Sequence, residues 1–294
     1  MTVLQTFLFT PANHHRKVEK ALQSTADAII IDLEDACAID EKERARKDVV
    51  EFLKKPRVPK AYVRVNAIST PFFYDDMNEV VSSRLDGIIL PMVETAEDLI
   101  IADWLLASLE KKLDLPERSI DLIPIIETAK AISNLKEILK HKKRVKRIAF
   151  GAGDLTNDTG IFWSKTGEEL LAIRTNVVIE SRAAGLEGPI DTVYIDLADQ
   201  DGLAAEAKMA KNLGFQGKML IHPQQIDVVR RMFSPTEEEI KRAEEIVRAF
   251  KEAEASGSSS IRVGNQFVDY PIVYKAEKTL ELAKRLKVKR EGGV

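Results

Sequence analysis

Two acidic residues, Glu127 and Asp154, follow short apolar segments at residues 122–126 and 147–150. An apolar segment of this length, followed by a helical pattern, predicts a buried parallel strand. The carboxyl ends of such strands are where α/β proteins bind ligands. Two acids at the ends of successive strands therefore predict a site for a divalent cation with oxygen ligands, Mg²⁺ or Mn²⁺. The alternative is that each acid caps a helix or pairs with an arginine of the barrel.

Arg64 lies within another apolar segment, residues 61–66. A buried arginine is costly unless it is paired. We expect its guanidinium to bind a substrate carboxylate in a bidentate manner. The alternative is a permanent salt bridge to Asp32 or Glu34 at the end of the preceding strand, and Glu34 could hold Arg64 while Arg64 binds substrate. With Asp35, these acids make a negative cluster that predicts a nearby cation. Glu34 and Asp35 are candidates for the outer shell of a metal site.

Two further segments have features of anion-binding sites. The small residues Gly151, Ala152 and Gly153 would let backbone N–H groups approach an anion closely. Residues 14–17 (HHRK) begin a predicted helix that Asn13 could cap. Cations there oppose the helix dipole, which an anionic ligand such as a phosphate would explain. The alternative is a solvated basic surface.

Three other residues have local features that favour ordinary structural roles. His222 ends the last apolar segment of the barrel pattern, and a structural histidine is the interpretation from spacing alone. Asp269 precedes Tyr270 and Pro271, where a turn or helix-capping residue is expected. Cys37 has no evident activating partner and is interpreted as an incidental thiol.

The composition is that of a globular protein of ordinary charge. The 294 residues are 45% hydrophobic and 31% charged, with a formal net charge of −3. No strongly basic region indicates nucleic acid as a partner. A single cysteine favours a reducing compartment, and neither a membrane-length apolar segment nor a signal peptide is evident. We therefore expect a cytoplasmic protein.

Alternation of apolar segments with helical patterns predicts a (β/α)8 TIM barrel, with a doubly wound open sheet as the alternative. The eight predicted strands are residues 6–10, 28–33, 61–66, 87–91, 120–126, 147–150, 192–197 and 217–222. We expect residues 1–233 to form this catalytic barrel and residues 234–294 to form a C-terminal helical lid. In the lid, a long helix would end near Ala255, and residues 256–260 (SGSSS) would be a flexible linker. A short strand-like segment and a last helix at residues 272–288 would follow.

The ordered set of motifs resembles the citrate lyase β-subunit-like family of the HpcH/HpaI aldolase superfamily, which includes malyl-CoA and citramalyl-CoA lyases. The resemblance covers residues 6–285, and the tail is most similar to the citramalyl-CoA lyase-like branch. The motifs are FTPAN at 9–13, DLEDA at 32–36, VRVN at 63–66, IPIIET at 123–128, FGAGD at 150–154 and IHPQQ at 221–225. Two positions depart from the family pattern. Gly153 stands where many relatives have Glu, and Ala12 stands where many have Gly.

The resemblance implies a role for several residues. Glu127 and Asp154 match the Mg²⁺ ligands, and Arg64 matches the arginine that holds the carboxylate of the acid. Asp269 matches an acid on a C-terminal lid that reaches the active site of a neighbouring subunit. The positions that match contacts to coenzyme A are Phe9, Arg16, Ile221 and His222.

The implied activity is a Mg²⁺-dependent lyase of the Claisen type. It would cleave, or form, a 3-hydroxyacyl-CoA such as citramalyl-CoA or malyl-CoA, giving acetyl-CoA and pyruvate or glyoxylate. The implied assembly is a homotrimer or hexamer with exchanged lids. Three alternatives stay open at this point. They are a citrate lyase β subunit acting on citryl-acyl carrier protein, a pyruvate aldolase acting on free aldehydes, and a non-catalytic subunit with the same fold.

Overall fold

The computed structural model describes the backbone of residues 3–291 and the side chains of residues 3–286. The chain divides into two compact units, one formed by Leu4–Arg230 and the other by the residues from Arg231 onwards together with Val3. The outer ends of the two predicted domains, residues 1–2 and 292–294, lie outside the described residues. Within the described part of the chain, no helix has both the length and the apolar character needed to cross a membrane.

The larger unit is a closed barrel of eight parallel strands, as predicted, in which each strand pairs with its neighbours in sequence and β8 pairs with β1. The strands are β1 Thr6–Pro11, β2 Ala28–Asp32, β3 Lys60–Arg64, β4 Gly87–Leu90, β5 Asp121–Ile126, β6 Ala149–Phe150, β7 Ile190–Asp191 and β8 Gly217–Leu220. Alternate residues of the strands point inwards and form one apolar cluster that includes Phe7, Ile30, Ile123 and Met219. Their carboxyl ends therefore meet at one face of the barrel.

The predicted position of the seventh strand, residues 192–197, is wrong. The strand is Ile190–Asp191, and the chain leaves the sheet at Thr192. The position is fixed by a network of four buried charges. Asp191 accepts hydrogen bonds from Lys218 Nζ at 2.7 Å and from Arg174 Nε at 3.0 Å. Glu206 forms ion pairs with the same two cations. An ion pair without access to water is stable only when both partners are matched in this way.

Helices connect consecutive strands of the barrel, and a last helix follows β8 and spans the boundary between the two units. They are α1 His15–Leu22, α2 Lys42–Lys54, α3 Phe73–Val80, α4 Ala96–Lys112, α5 Ala129–Lys140, α6 Ala152–Thr159, α7 Leu171–Ala183, α8 Gln200–Leu213 and α9 Gln225–Phe233. The prediction that the Asn13 side chain caps α1 is wrong. Asn13 donates instead to Glu41, and α1 begins after His14 without a side-chain cap.

The smaller unit contains α10 Glu237–Ala255, the hairpin of β9 Ser260–Val263 and β10 Gln266–Asp269, and α11 Tyr270–Glu291. Thr236 and Glu239 form a capping box that starts α10. Val263, Val268 and Val273 of the hairpin and α11 pack with Phe250 of α10 in one core. The prediction of a flexible linker at residues 256–260 is wrong, because this segment is a tight turn inside the unit. Ser258 N donates to Ala253 O at 3.0 Å, and the turn joins two elements that pack together.

Candidate active site

A cavity of about 690 Å³ opens at the carboxyl ends of the barrel strands. Several residues that the sequence indicated line it, namely Phe9, Asp35, Arg64, Glu127, Gly151, Gly153, Ile221 and His222. Residues that the sequence did not indicate also line it, among them Lys20, Thr192, Val193 and Met219. Apolar side chains at the top of the barrel core thus form one wall, and charged residues at the strand ends form another.

Glu127 follows β5 and is 97% buried, so its carboxylate lies almost out of reach of water. Its Oε1 accepts a hydrogen bond of 2.7 Å from the backbone N–H of Met92, a residue in the left-handed region at φ +53°. Burial, assisted by the nearby Asp154 carboxylate, raises the pKa of Glu127 to about 7 against the opposing effects of the Met92 N–H and of Arg64. Met92 is a site residue that the sequence did not reveal, since a backbone donor leaves no signature in residue type.

Gly151 packs directly against this carboxylate. A Cβ atom at position 151 would lie 2.5 Å from Glu127 Oε2 and 2.7 Å from Glu127 Cβ. Only glycine leaves room for Glu127 in its present position, because ordinary carbon contacts are about 3.5 Å or longer. Asp154 lies in the first turn of α6, and its side chain is exposed. The structure therefore brings the two predicted acids together, as their placement on successive strands implied.

The anion-binding site that was expected at Gly151, Ala152 and Gly153 has fewer free backbone N–H groups than predicted. Gly151 N donates to Ile126 O at 3.1 Å, and Ala152 N donates to Thr192 Oγ1 at 2.9 Å. Gly153 N, near the start of α6, has no hydrogen-bond acceptor among residues 3–291. Gly153 also borders open space, since a Cβ atom there would meet nothing within 4 Å. Only the Gly153 amide is thus available for an anion.

Arg64 is held by three carboxylates. Its Nε and Nη2 bond to the two oxygens of Asp32 at 2.8 and 2.6 Å, and its Nη1 lies 2.7 Å from Glu34 and 3.3 Å from Asp35. The guanidinium carbon stacks 4.9 Å from the centre of the Phe9 ring. The pKa of Arg64 is raised by Asp32 and Glu34 despite burial. The salt-bridge alternative is therefore present in the structure, and Arg64 still lines the cavity.

The site carries more negative than positive charge. Three carboxylates contact the Arg64 guanidinium, and Glu127 and Asp154 interact with each other at the next strand ends. Burial, together with Asp35, Glu127 and Asp32, raises the pKa of Glu34 to about 8 against the opposing effect of Arg64. A divalent cation beside Glu127 would relieve this repulsion, and carboxylate oxygens are the ligands that Mg²⁺ prefers. Among the side chains of residues 3–286, no group of three or more His, Cys, Asp or Glu converges on one point. A cation held by two carboxylates would complete its coordination with water and substrate.

The basic residues near the cavity differ from those expected. Arg16 faces a separate open cleft of about 570 Å³ with His14, His15 and Arg44. Lys17 borders both this cleft and the main cavity, and Lys20 lines the main cavity. The signal for Lys20 was available, since residues three apart on a helix share a face. The ammonium groups of Lys17 and Lys20 thus provide positive charge at the main cavity.

Ile221 and His222 begin the loop that follows β8. Their backbone N–H groups both donate to Gln225 Oε1, at 2.9 and 3.2 Å, and Gln225 in turn donates to Tyr194 O. His222 is half-buried, and its Nδ1 accepts a bond from Gln224 N at 3.2 Å. Both residues line the cavity, so His222 has a structural hydrogen-bond partner and also faces the cavity.

Asp269 is the last residue of β10 in the smaller unit, where it is half-buried. Its backbone pairs with Ser260 of β9. The next residue, Tyr270, stacks edge-on against Phe250 and donates a hydrogen bond to Glu254. Asp269 is therefore held at the rigid junction between a hairpin and α11.

Comparison with known proteins identifies the family. The profile of the family described as HpcH/HpaI aldolase/citrate lyase matches residues 5–223. The chain belongs to this family. The barrel and the strand-end acids of this family member all lie within the matched region.

Relatives at the level of whole chains are lyases or lyase subunits. The citrate lyase subunit beta of Leuconostoc mesenteroides subsp. cremoris is 36% identical over 95% of this chain and 93% of its own length. The mitochondrial citramalyl-CoA lyase of Homo sapiens is 33% identical over 96% of this chain and 86% of its own. A crystal structure of the protein CitE from Mycobacterium tuberculosis, in complex with magnesium, acetoacetate and coenzyme A, has a TM-score of 0.78. It is 27% identical and covers 96% of this chain and 98% of that chain. This HpcH/HpaI family member is thus an enzyme of the lyase type.

Proposed function

We propose that this protein is a Mg²⁺-dependent carbon–carbon lyase that cleaves, or forms, a 3-hydroxyacyl-CoA such as citramalyl-CoA or malyl-CoA. The products of cleavage would be acetyl-CoA and a 2-oxo acid, pyruvate or glyoxylate. The observation that carries the proposal is that Glu127, which interacts with the neighbouring Asp154 carboxylate, lines the same cavity as Arg64, and that this cavity also has a basic side. Relatives that are citramalyl-CoA lyases support the substrate class.

Glu127 and Asp154 are the residues that would hold the metal ion. When bound, Mg²⁺ supplies a Lewis acid that polarises the oxygen on the carbon where the bond breaks. Arg64 and the Gly153 amide would orient the carboxylate of the acid half. Arg64 gains precision from its two bonds to Asp32, since a guanidinium clamped on one edge has little freedom on the other.

The thioester half would lie along the basic side of the cavity. Lys17 and Lys20 would bind its phosphates, and the apolar side chains of Val193 and Met219 would exclude water from the reacting atoms. Cleavage breaks the bond between the carbinol carbon and the carbon next to the thioester carbonyl. The hydroxyl proton of the carbinol leaves to water in the cavity, the electron pair of the broken bond passes to the thioester as an enolate, and the carbinol carbon becomes the keto carbon of the 2-oxo acid. We assign the proton that completes acetyl-CoA to the Asp269 carboxyl of a second copy of the chain in a trimer or hexamer.

The test is release of acetyl-CoA from malyl-, citramalyl- and citryl-CoA, with Mg²⁺ and with EDTA. We expect metal-dependent cleavage of malyl- or citramalyl-CoA, and loss of turnover in a folded Glu127→Gln variant, which keeps the shape of the side chain without its charge. A folded, metal-loaded protein that cleaves none of the three would contradict the proposal.

A second candidate is the β subunit of a citrate lyase, which the 36% identical relative favours. Its substrate would be a citryl group on the phosphopantetheine arm of a carrier protein. Lys17 and Lys20 would suit the phosphate of that arm as well. Cleavage of a citryl thioester on a carrier protein, with no cleavage of free CoA thioesters, would favour this candidate.

A further inference from the structure

Helix α6 carries Asp154, and its start is fixed to the end of the neighbouring strand β7. Ala152 N donates to Thr192 Oγ1 at 2.9 Å, and both residues are buried. Thr192 directly follows Asp191, which the buried cations of Arg174 and Lys218 hold in place. The first turn of α6 therefore has a rigid support that comes from a part of the barrel remote in sequence.

The same helix is also linked to the segment that carries Glu127. Asp158 Oδ2 accepts a hydrogen bond of 2.8 Å from Ala129 N, two residues after Glu127. Asp158 is four residues after Asp154, so the two side chains lie on one face of α6. Thr128 already caps α5 through the N–H of Ala131. The Asp158 bond is therefore an additional connection between the start of α5, two residues after Glu127, and the last turn of α6, one turn after Asp154.

The geometry points to Thr192 and Asp158 as positioning residues that set the spacing between the Glu127 and Asp154 carboxylates. This inference rests on the proposed function, in which those two carboxylates hold a divalent cation. Asp154 is exposed, so its place is set by the backbone of α6 rather than by side-chain packing. Loss of the hydrogen bond made by Thr192 or of that made by Asp158 would let α6 shift relative to β5 and would lower the affinity for the cation.

The test is the affinity for Mn²⁺ alone, measured by electron paramagnetic resonance on the full chain, together with the thermal stability of the metal-free protein. We expect Asp158→Ala and Thr192→Val each to raise the Kd of Mn²⁺ about tenfold, as loss of groups that support metal ligands commonly does. Asp158→Asn and Thr192→Ser keep an oxygen acceptor at each anchor and should restore most of the affinity.

Asp199→Ala is the matched control. Asp199 also accepts a bond from a backbone N–H at a helix start, that of Gly202 in α8, at 2.8 Å, but it bonds to neither α5 nor α6. The control should lower thermal stability and leave the Kd of Mn²⁺ unchanged. If Asp158→Ala and Thr192→Val behave as this control does, the inference is wrong while the metal site stands. If the wild-type protein binds no Mn²⁺, the metal assignment fails and the inference fails with it.

Discussion

Replacement of Gly151 by alanine is the sharpest test of the position of Glu127. The new Cβ would lie 2.7 Å from Glu127 Cβ and 2.5 Å from Oε2. An ordinary carbon contact is about 3.5 Å or longer, so Glu127 or Gly151 must move by about 0.8 to 1 Å. Glu127 has little freedom to move, because it is buried and its other oxygen is held by Met92 N.

This displacement should lower both the stability of the protein and the rate of cleavage. Overpacking in a dense interior costs about 1–3 kcal/mol. A misplacement of about 1 Å in a reacting group can cost on the order of 100-fold in rate. We therefore expect Gly151→Ala to unfold at a lower temperature and to cleave its thioester substrate at least about tenfold more slowly at saturating Mg²⁺.

Gly153→Ala is the matched control, two residues further along the same helix start. Its Cβ would meet nothing within 4 Å, and alanine in a helix is favoured over glycine by up to about 1 kcal/mol. We expect unchanged or raised stability and a rate close to that of the wild type. Equal rates for Gly151→Ala and the wild type, measured by metal-dependent acetyl-CoA release, would refute the assigned position of Glu127.

Four further predictions concern charge. The pKa values of Glu127 and Glu34, about 7 and about 8, exceed their ordinary value of 4.5, so the folded state binds protons more tightly than the unfolded state does. The metal-free protein should therefore lose thermal stability as the pH rises from about 5 to about 8, and Mg²⁺ should raise the melting temperature more at the upper end; a flat profile in EDTA would contradict these shifts. Arg64→Lys keeps the charge but not the fork that bonds Asp32, so the KM for the 2-oxo acid in the condensation direction should rise at least about tenfold; an unchanged KM would remove Arg64 from acid binding. Lys20→Ala should raise the KM for the CoA thioester with little change in kcat, in a salt-dependent manner, whereas Lys47→Ala, on an exposed face of α2, should change neither. Asp269→Asn should retain CoA binding by calorimetry and lose cleavage, and normal cleavage would exclude Asp269 as the acid.

The parts of the fold that follow from local sequence were predictable. The bounds of α4, Ala96–Lys112, and the end of α10 at Ala255 follow from apolar periodicity and from capping residues next to each helix. Glu127 was identifiable because it ends a strongly apolar segment, and Arg64 because it is a charged residue within one. The strand β7 was misplaced because residues 192–197 form a short apolar segment like those of the other strands, whereas the buried pairing of Asp191 with Lys218 depends on distant residues.

Features of the site that depend on backbone geometry could not be predicted. The N–H of Met92 reaches Glu127 because residue 92 has a positive φ, and nothing in a methionine indicates that conformation. The amides of Gly151 and Ala152 are occupied by acceptors from β5 and from Thr192, which a motif of small residues does not reveal. Which backbone N–H groups remain free to bind a ligand can therefore be determined only from the folded structure.

Arg64 shows how two interpretations of one residue can both be partly correct. Asp32 occupies the Nε and Nη2 edge in two short bonds, and the same carboxylate accepts the backbone N–H groups of Glu34 and Ala36. That edge is therefore structural. A substrate carboxylate could reach only Nη1, where Asp35 is exposed and lies at the longer distance of 3.3 Å. Displacement of Asp35 by substrate exchanges one carboxylate for another at the guanidinium. Acid binding at Arg64 then leaves the charge beside the guanidinium unchanged.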